Sequence, residues 1–117
     1  MARVVALFDD LLLGSNVQGM LSAAGHDVAL VGSPGAADPA GAAVLVVDLG
    51  SLGFDGVAEV ERLRAAGELG ETRVLGVYSH VDVETKQRAE EAGLDLVVPR
   101  SRMAREGALL VERLAAS

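Results

Sequence analysis

An α/β fold built on one parallel sheet is what this 117-residue sequence predicts, and three features predict it. Five short apolar runs rich in Val and Leu recur along the chain; such runs, without polar alternation, read as strands buried on both faces. The segments between them carry apolar residues at helical spacing and several stop at a glycine. Half of the residues are hydrophobic, enough for a sizeable core in a chain the size of one ordinary domain. The expected architecture is a single doubly wound (βα)5 domain over residues 1–117, with a five-stranded parallel sheet in the order 2-1-3-4-5 and a shortened second helix.

The elements follow in order. The first strand is RVVALF, from Arg3 to Phe8. In the first helix Leu13, Val17, Met20, Leu21 and Ala24 share a face, and Gly25 is its stop. The second strand is DVALV, from Asp27 to Val31. Only Gly32 to Ala42, GSPGAADPAGA, leads from it to the third strand. That is short for a parallel crossover, and its prolines and glycines leave space for one or two helical turns at most. The third strand is AAVLVVD, ending at Asp48. The next helix places Val57, Val60, Leu63 and Arg64 on one face and stops at Gly67. RVLGVY, from Arg73 to Tyr78, is the fourth strand. The fourth helix takes Asp82 as N-cap and stops at Gly93. Ala89 and Ala92 are its only clear apolar contacts, so it is expected to be weakly packed and mobile. LDLVV is the fifth strand, and a last helix starting near Ser101 aligns Met103, Leu110, Val111 and Leu114.

Composition narrows the function. Phe8, Phe54 and Tyr78 are the only aromatics, so Val, Leu and Ala fill the core. Without cysteine there is no disulfide, thiol chemistry or Cys-bound metal. A formal net charge of −7 argues against nucleic acid and against an anionic membrane surface, and suits cations or basic partners. The start of the chain lacks a signal-peptide layout and no apolar run reaches ~18 residues, so a cytoplasmic protein is expected.

Open parallel sheets bind ligands beyond the C-terminal ends of their strands, at the switch point between strands 1 and 3. There the sequence puts Asp9 and Asp10 after strand 1, Asp48 at the end of strand 3, Tyr78-Ser79-His80 at the end of strand 4, and Pro99-Arg100-Ser101 after strand 5. Clustered carboxylates of this kind suit Mg²⁺ or a similar hard divalent ion, and without one at least one carboxyl is expected to have a raised pKa. The plainer alternative is that Asp9 or Asp10 caps the first helix and Asp48 caps the turn after its strand. The glycines of GSLGFDG match neither a dinucleotide fingerprint nor a P-loop. No Ser-His-Asp order or His-rich ligand set is present either, so an enzyme is not expected.

These residues resemble the receiver domains of two-component response regulators, a CheY-like, flavodoxin-type fold. ALFDD resembles the family's first strand with its acidic pair. VLVVDLGSLGFDGVAEVERLR resembles its acceptor segment, with Asp48, Leu49, Asp55 and Gly56 in register; VLGVYSHVD and AGLDLVVPRS resemble the fourth and fifth strands with their loops. The resemblance implies that Asp48 accepts a phosphoryl group from a phosphohistidine, that Asp10, Asp48 and the Gly50 carbonyl hold Mg²⁺, and that Asp9 acts through water. It also implies a histidine kinase or phosphotransfer protein as partner. Output would run through protein contact on the face of the fourth helix, fifth strand and last helix, with a homodimer as one form, since 117 residues leave no room for an output domain.

Three positions depart from the family. Arg100 stands for the usual Lys, and the only lysine is Lys86. Tyr78 stands for the usual Thr or Ser, and Leu52 for a common Pro. Arg keeps the charge and binds phosphate in a bidentate fork, but it is longer and planar. Tyr78 reads either as a switch residue or as an aromatic packed on the sheet; His80 reads as a ligand or as a solvent-facing loop residue. Two functions therefore stay open. One is a stand-alone signalling receiver in a phosphorelay; the other is a pseudo-receiver that is not phosphorylated and serves as a constitutive interaction or dimerisation module.

Overall fold

The computed structural model describes residues 2–117. The strands are β1 (Arg3–Leu7), β2 (Asp27–Val31), β3 (Val44–Asp48), β4 (Arg73–Tyr78) and β5 (Leu96–Pro99), and the helices are α1 (Leu11–Ala23), α2 (Gly56–Ala65), α3 (Val83–Glu91) and α4 (Arg100–Ala116). All strand pairs are parallel and the order is β2-β1-β3-β4-β5, as expected.

The shortened second helix is a single 3₁₀ turn, Pro34–Ala36, so only four α-helices form among the described residues. Two anchors hold this short crossover against the strands beside it. Arg3 Nη1 donates to the Ala40 carbonyl at 2.7 Å, and the Thr72 hydroxyl donates to Ala42 O at 2.8 Å and Pro39 O at 3.2 Å.

Alternation along the strands divides the core into two layers. Val4, Ala6, Val44, Val46, Leu75, Val77 and Val98 pack with Val17 and Leu21 of α1 and Met103, Leu110 and Val111 of α4. Val5, Leu7, Leu45, Val47, Val74 and Tyr78 pack with Val57, Val60 and Leu63 of α2 and Ala89 of α3. Three positions differ from the sequence-based faces. Ala24 is exposed because it is the C-cap of α1, and Gly14, buried against Phe8 and Leu30, takes a place on the inner face. Arg64 is also exposed; its guanidinium donates to the carbonyls of Ala92 and Gly93 and so ties α2 to the end of α3.

Helix α3 buries only Ala89. Two local devices define its start. The Asp82 side chain accepts from Thr85 N–H at 3.1 Å and from the Thr85 hydroxyl at 2.6 Å, and those bonds hold its carboxyl below the ordinary range. Arg88 then pairs with Asp55, the N-cap of α2, at 2.9 Å. Both partners of that ion pair are half exposed, so it adds little stability and mainly fixes where α3 lies.

Candidate functional site

The C-terminal edge of the sheet is built from the ends of β1, β3, β4 and β5. Asp48 closes β3 and its side chain is wholly buried. One oxygen is occupied: Oδ1 accepts from Gly50 N–H at 2.8 Å, and Arg100 Nη2 lies 3.8 Å from it. The other is not. Among the described residues, Asp48 Oδ2 is the one buried side-chain polar atom without a hydrogen-bond partner. Leaving such an atom dry costs free energy, more so when it carries charge. Burial accordingly pushes the Asp48 carboxyl above its ordinary pKa; the Gly50 N–H and the Arg100 charge oppose that, and the nearby charges of Asp9 and Asp10 add to it.

Asp9 and Asp10 are exposed at the mouth. Asp10 is the N-cap of α1, with Oδ1 accepting from Leu13 N–H at 3.0 Å. The plainer reading of Asp10 as a cap is therefore borne out, and its second oxygen is not used in the cap. Asp9 turns toward the loop after β3, where its carboxylate lies against Gly53. Both are near enough to Asp48 to act on its charge. Among the described residues no three His, Asp or Glu side chains close into a ready-made metal cage. A cation would still find the buried Asp48 carboxylate, which the protein does not fully satisfy, with two exposed carboxylates near it, so the donor set fits a hard divalent ion completed by backbone and water oxygens.

Asp10 lends itself to a separation of its two roles. Asp10→Ala removes the cap and is expected to cost about 0.5–2 kcal/mol, whereas Asp10→Asn keeps a capping oxygen and changes stability by only a few tenths. Thermal unfolding of the two variants checks this; equal losses would mean that the carboxylate stabilises the fold by some route other than the cap.

The remaining expected site residues separate. Arg100 begins α4 just after Pro99 and extends back to Asp48. Tyr78 ends β4 but is only 8 % exposed and belongs to the α2/α3 layer, whereas Asp48 follows Val44 and Val46 in the alternation toward the other layer. His80 is exposed in the loop after β4. Three glycines matter here for the space that they leave. A Cβ on Gly76 would meet Leu49 and Leu94 at 2.7 Å each, so this glycine lets the residue after Asp48 pack down on β4. Gly50 and Gly53 make room for Arg100 and Asp9. Gly50 is expected for its carbonyl through the resemblance; the room that the three glycines leave has no local sequence signal.

No family model matches the sequence, and no curated protein matches it. Solved structures do. The chain superposes on a structure described as FixJ-N with a TM-score of 0.86 at 21% identity, covering 99% of this chain and 94% of that one. The response regulator receiver domain from Clostridium thermocellum gives a TM-score of 0.84 at 13% identity, covering 99% and 95%. The receiver domain of the Francisella response regulator 1452 gives 0.82 at 16% identity, covering 99% and 98%. The chain has the fold of response regulator receiver domains over nearly its whole length.

Proposed function

We propose that this protein is a signalling receiver whose Asp48 accepts a phosphoryl group. The observation that carries the reading is Asp48 itself: fully buried at the sheet edge, with Oδ1 bonded by the Gly50 N–H, the Arg100 guanidinium 3.8 Å from it, and Oδ2 without a partner. A carboxylate with one oxygen anchored and the other unpartnered has one oxygen left as the nucleophile. In the step proposed, Oδ2 attacks phosphorus of a phosphohistidine, the new O–P bond forms, the P–N bond breaks, and its electron pair leaves with the imidazole nitrogen, which takes a proton. The Arg100 guanidinium has donors to spare for the phosphoryl oxygens, and the Gly50 N–H can turn from Oδ1 to one of them. Mg²⁺ held by Asp10, Asp48 and the Gly50 carbonyl would neutralise charge on the transferring group, with Asp9 acting through water.

The same edge suits a protein donor. Leu11, Leu12, Leu52, Val81 and Val83 are large apolar side chains exposed on the segments that surround the mouth, and clustered exposed apolar groups are typical of protein contact. A histidine kinase or phosphotransfer protein is the partner proposed there. Output is proposed through α3, β5 and α4, where Leu96 and Val97 are half-buried and Leu109 is 45% exposed, either to another protein or to a second copy.

Intact mass after incubation with Mg²⁺ and a small-molecule phosphodonor tests the acceptor reading. One added phosphate is expected. A second reading, an unphosphorylated interaction module, draws on Tyr78 being packed into the core; unchanged mass with donor and with a phosphorylated histidine protein would favour it.

A further inference from the structure

The loop after β3 holds two glycines that its backbone does not require. Gly25, Gly41, Gly67, Gly70 and Gly93 have φ between 55° and 93°, where other residues are strained; Gly50 and Gly53 are not among them. What these two positions supply is space. A Cβ on Gly50 would lie 2.9 Å from Arg100 Nη2 and 3.5 Å from Asp48 Oδ1, and one on Gly53 would fall on the Asp9 carboxylate.

We propose that Gly50 is a positioning residue matched to Arg100: the missing side chain at 50 is what lets a guanidinium lie over the loop and reach Asp48. The inference rests on the acceptor reading of Asp48. Arginine is longer and flatter than lysine, so it needs a clear surface to lie on, and the backbone at Gly50 is that surface. In this position Arg100 stands on the Oδ1 side with the Gly50 N–H, and Oδ2 has no partner. The space left at residue 50 and the length of the side chain at residue 100 are therefore matched to each other.

The steric arithmetic makes the pair testable. The atom that a Cβ at 50 would displace is the tip of a flexible, 43% exposed side chain, and the backbone angle tolerates alanine. Gly50→Ala should then fold normally and keep its carbonyl while moving the cation.

The experiment compares wild type, Gly50→Ala, Arg100→Lys and the double variant in a mutant cycle. Phosphoryl incorporation from a small-molecule donor with Mg²⁺ is followed by intact mass. In the wild-type background Gly50→Ala is expected to slow it about tenfold, the loss of part of one preorganised donor. In the Arg100→Lys background, where a shorter ammonium does not lie over the loop, the same change is expected to alter the rate by less than about twofold. Equal losses in both backgrounds overturn the proposal. A second readout does not depend on phosphorylation. The Arg100 Nε–Hε resonance should shift toward a solvent-averaged position in Gly50→Ala while the other arginines stay unchanged; an unmoved Arg100 signal overturns the proposal. Wild type that takes no phosphate from this donor or from a phosphorylated histidine protein brings down the acceptor reading, and the guanidinium resonance then decides the pairing by itself.

Discussion

Asp48→Asn is expected to abolish phosphoryl incorporation and at the same time to stabilise the protein at neutral pH. The first effect follows because an amide nitrogen in place of Oδ2 is no nucleophile, and among the described residues no second buried carboxylate lies at the edge to replace it. The second has the opposite sign for the same reason. Asp48 Oδ2 is buried without a partner, and as an ionised oxygen it is costly to keep there. Asparagine keeps an oxygen for the Gly50 N–H and leaves a neutral orphan where a charged one stood. The gain is expected to be about 1 kcal/mol, the difference between the two burials after the lost attraction to Arg100.

Linkage gives this a pH signature. Burial raises the folded carboxyl above its ordinary value of 3.8, so between 3.8 and the raised value the folded state binds more protons than the unfolded state. Stability therefore falls as pH rises through that window, and the contribution of neutral Asp48 is fully present only below it. Asp48→Asn lacks this slope. Urea unfolding of both proteins at acid and neutral pH should show similar stability below the window and a more stable variant above it. A wild type at least as stable as the variant at neutral pH would mean that Oδ2 is satisfied in solution, and the open-oxygen argument would fail with it.

Most of the fold was readable because each strand announces itself. RVLGVY and VLVVD have no polar alternation, which only a doubly covered parallel strand tolerates, and the short connections leave one simple winding. The positions of Asp9, Asp10, Asp48 and Arg100 at one edge follow from strand ends alone. What escaped depends on side chains meeting across the fold. Ala24 continues the helical period of α1 but falls on the cap, so period alone misplaces it. Asp10 had a cap reading and a site reading, and the geometry shows one oxygen serving the first. Gly50 is expected only for its carbonyl, and the need for a missing side chain there emerges once Arg100, fifty residues away, is seen to lie against it. Contacts of that kind have no local signal, because neither residue type nor spacing encodes the partner.

Tyr78 is where a site expectation and a packing requirement meet on one residue. Its ring fills part of the α2/α3 layer. Tyr78→Thr removes most of that volume and adds a hydroxyl to an apolar surrounding, so it should cost about 2–4 kcal/mol, in the range of large-to-small core changes. For a domain of this size that lowers the melting temperature by roughly 8–15 °C. Tyr78→Phe keeps the ring and should change stability by less than about 1 kcal/mol. The functional expectation separates the two readings of the residue. If Tyr78 is a core residue facing away from Asp48, the phosphoryl incorporation rate at a temperature where both proteins are folded stays within about threefold of wild type in Tyr78→Phe and in Tyr78→Thr. A hydroxyl that followed the phosphoryl group would instead make Tyr78→Phe behave differently from wild type without any loss of stability. Calorimetry and incorporation rates on the same two variants decide it: a stable Tyr78→Phe with an altered rate assigns Tyr78 to the site, whereas an unstable Tyr78→Thr with an unaltered rate assigns it to the layer that holds α2 and α3 on the sheet.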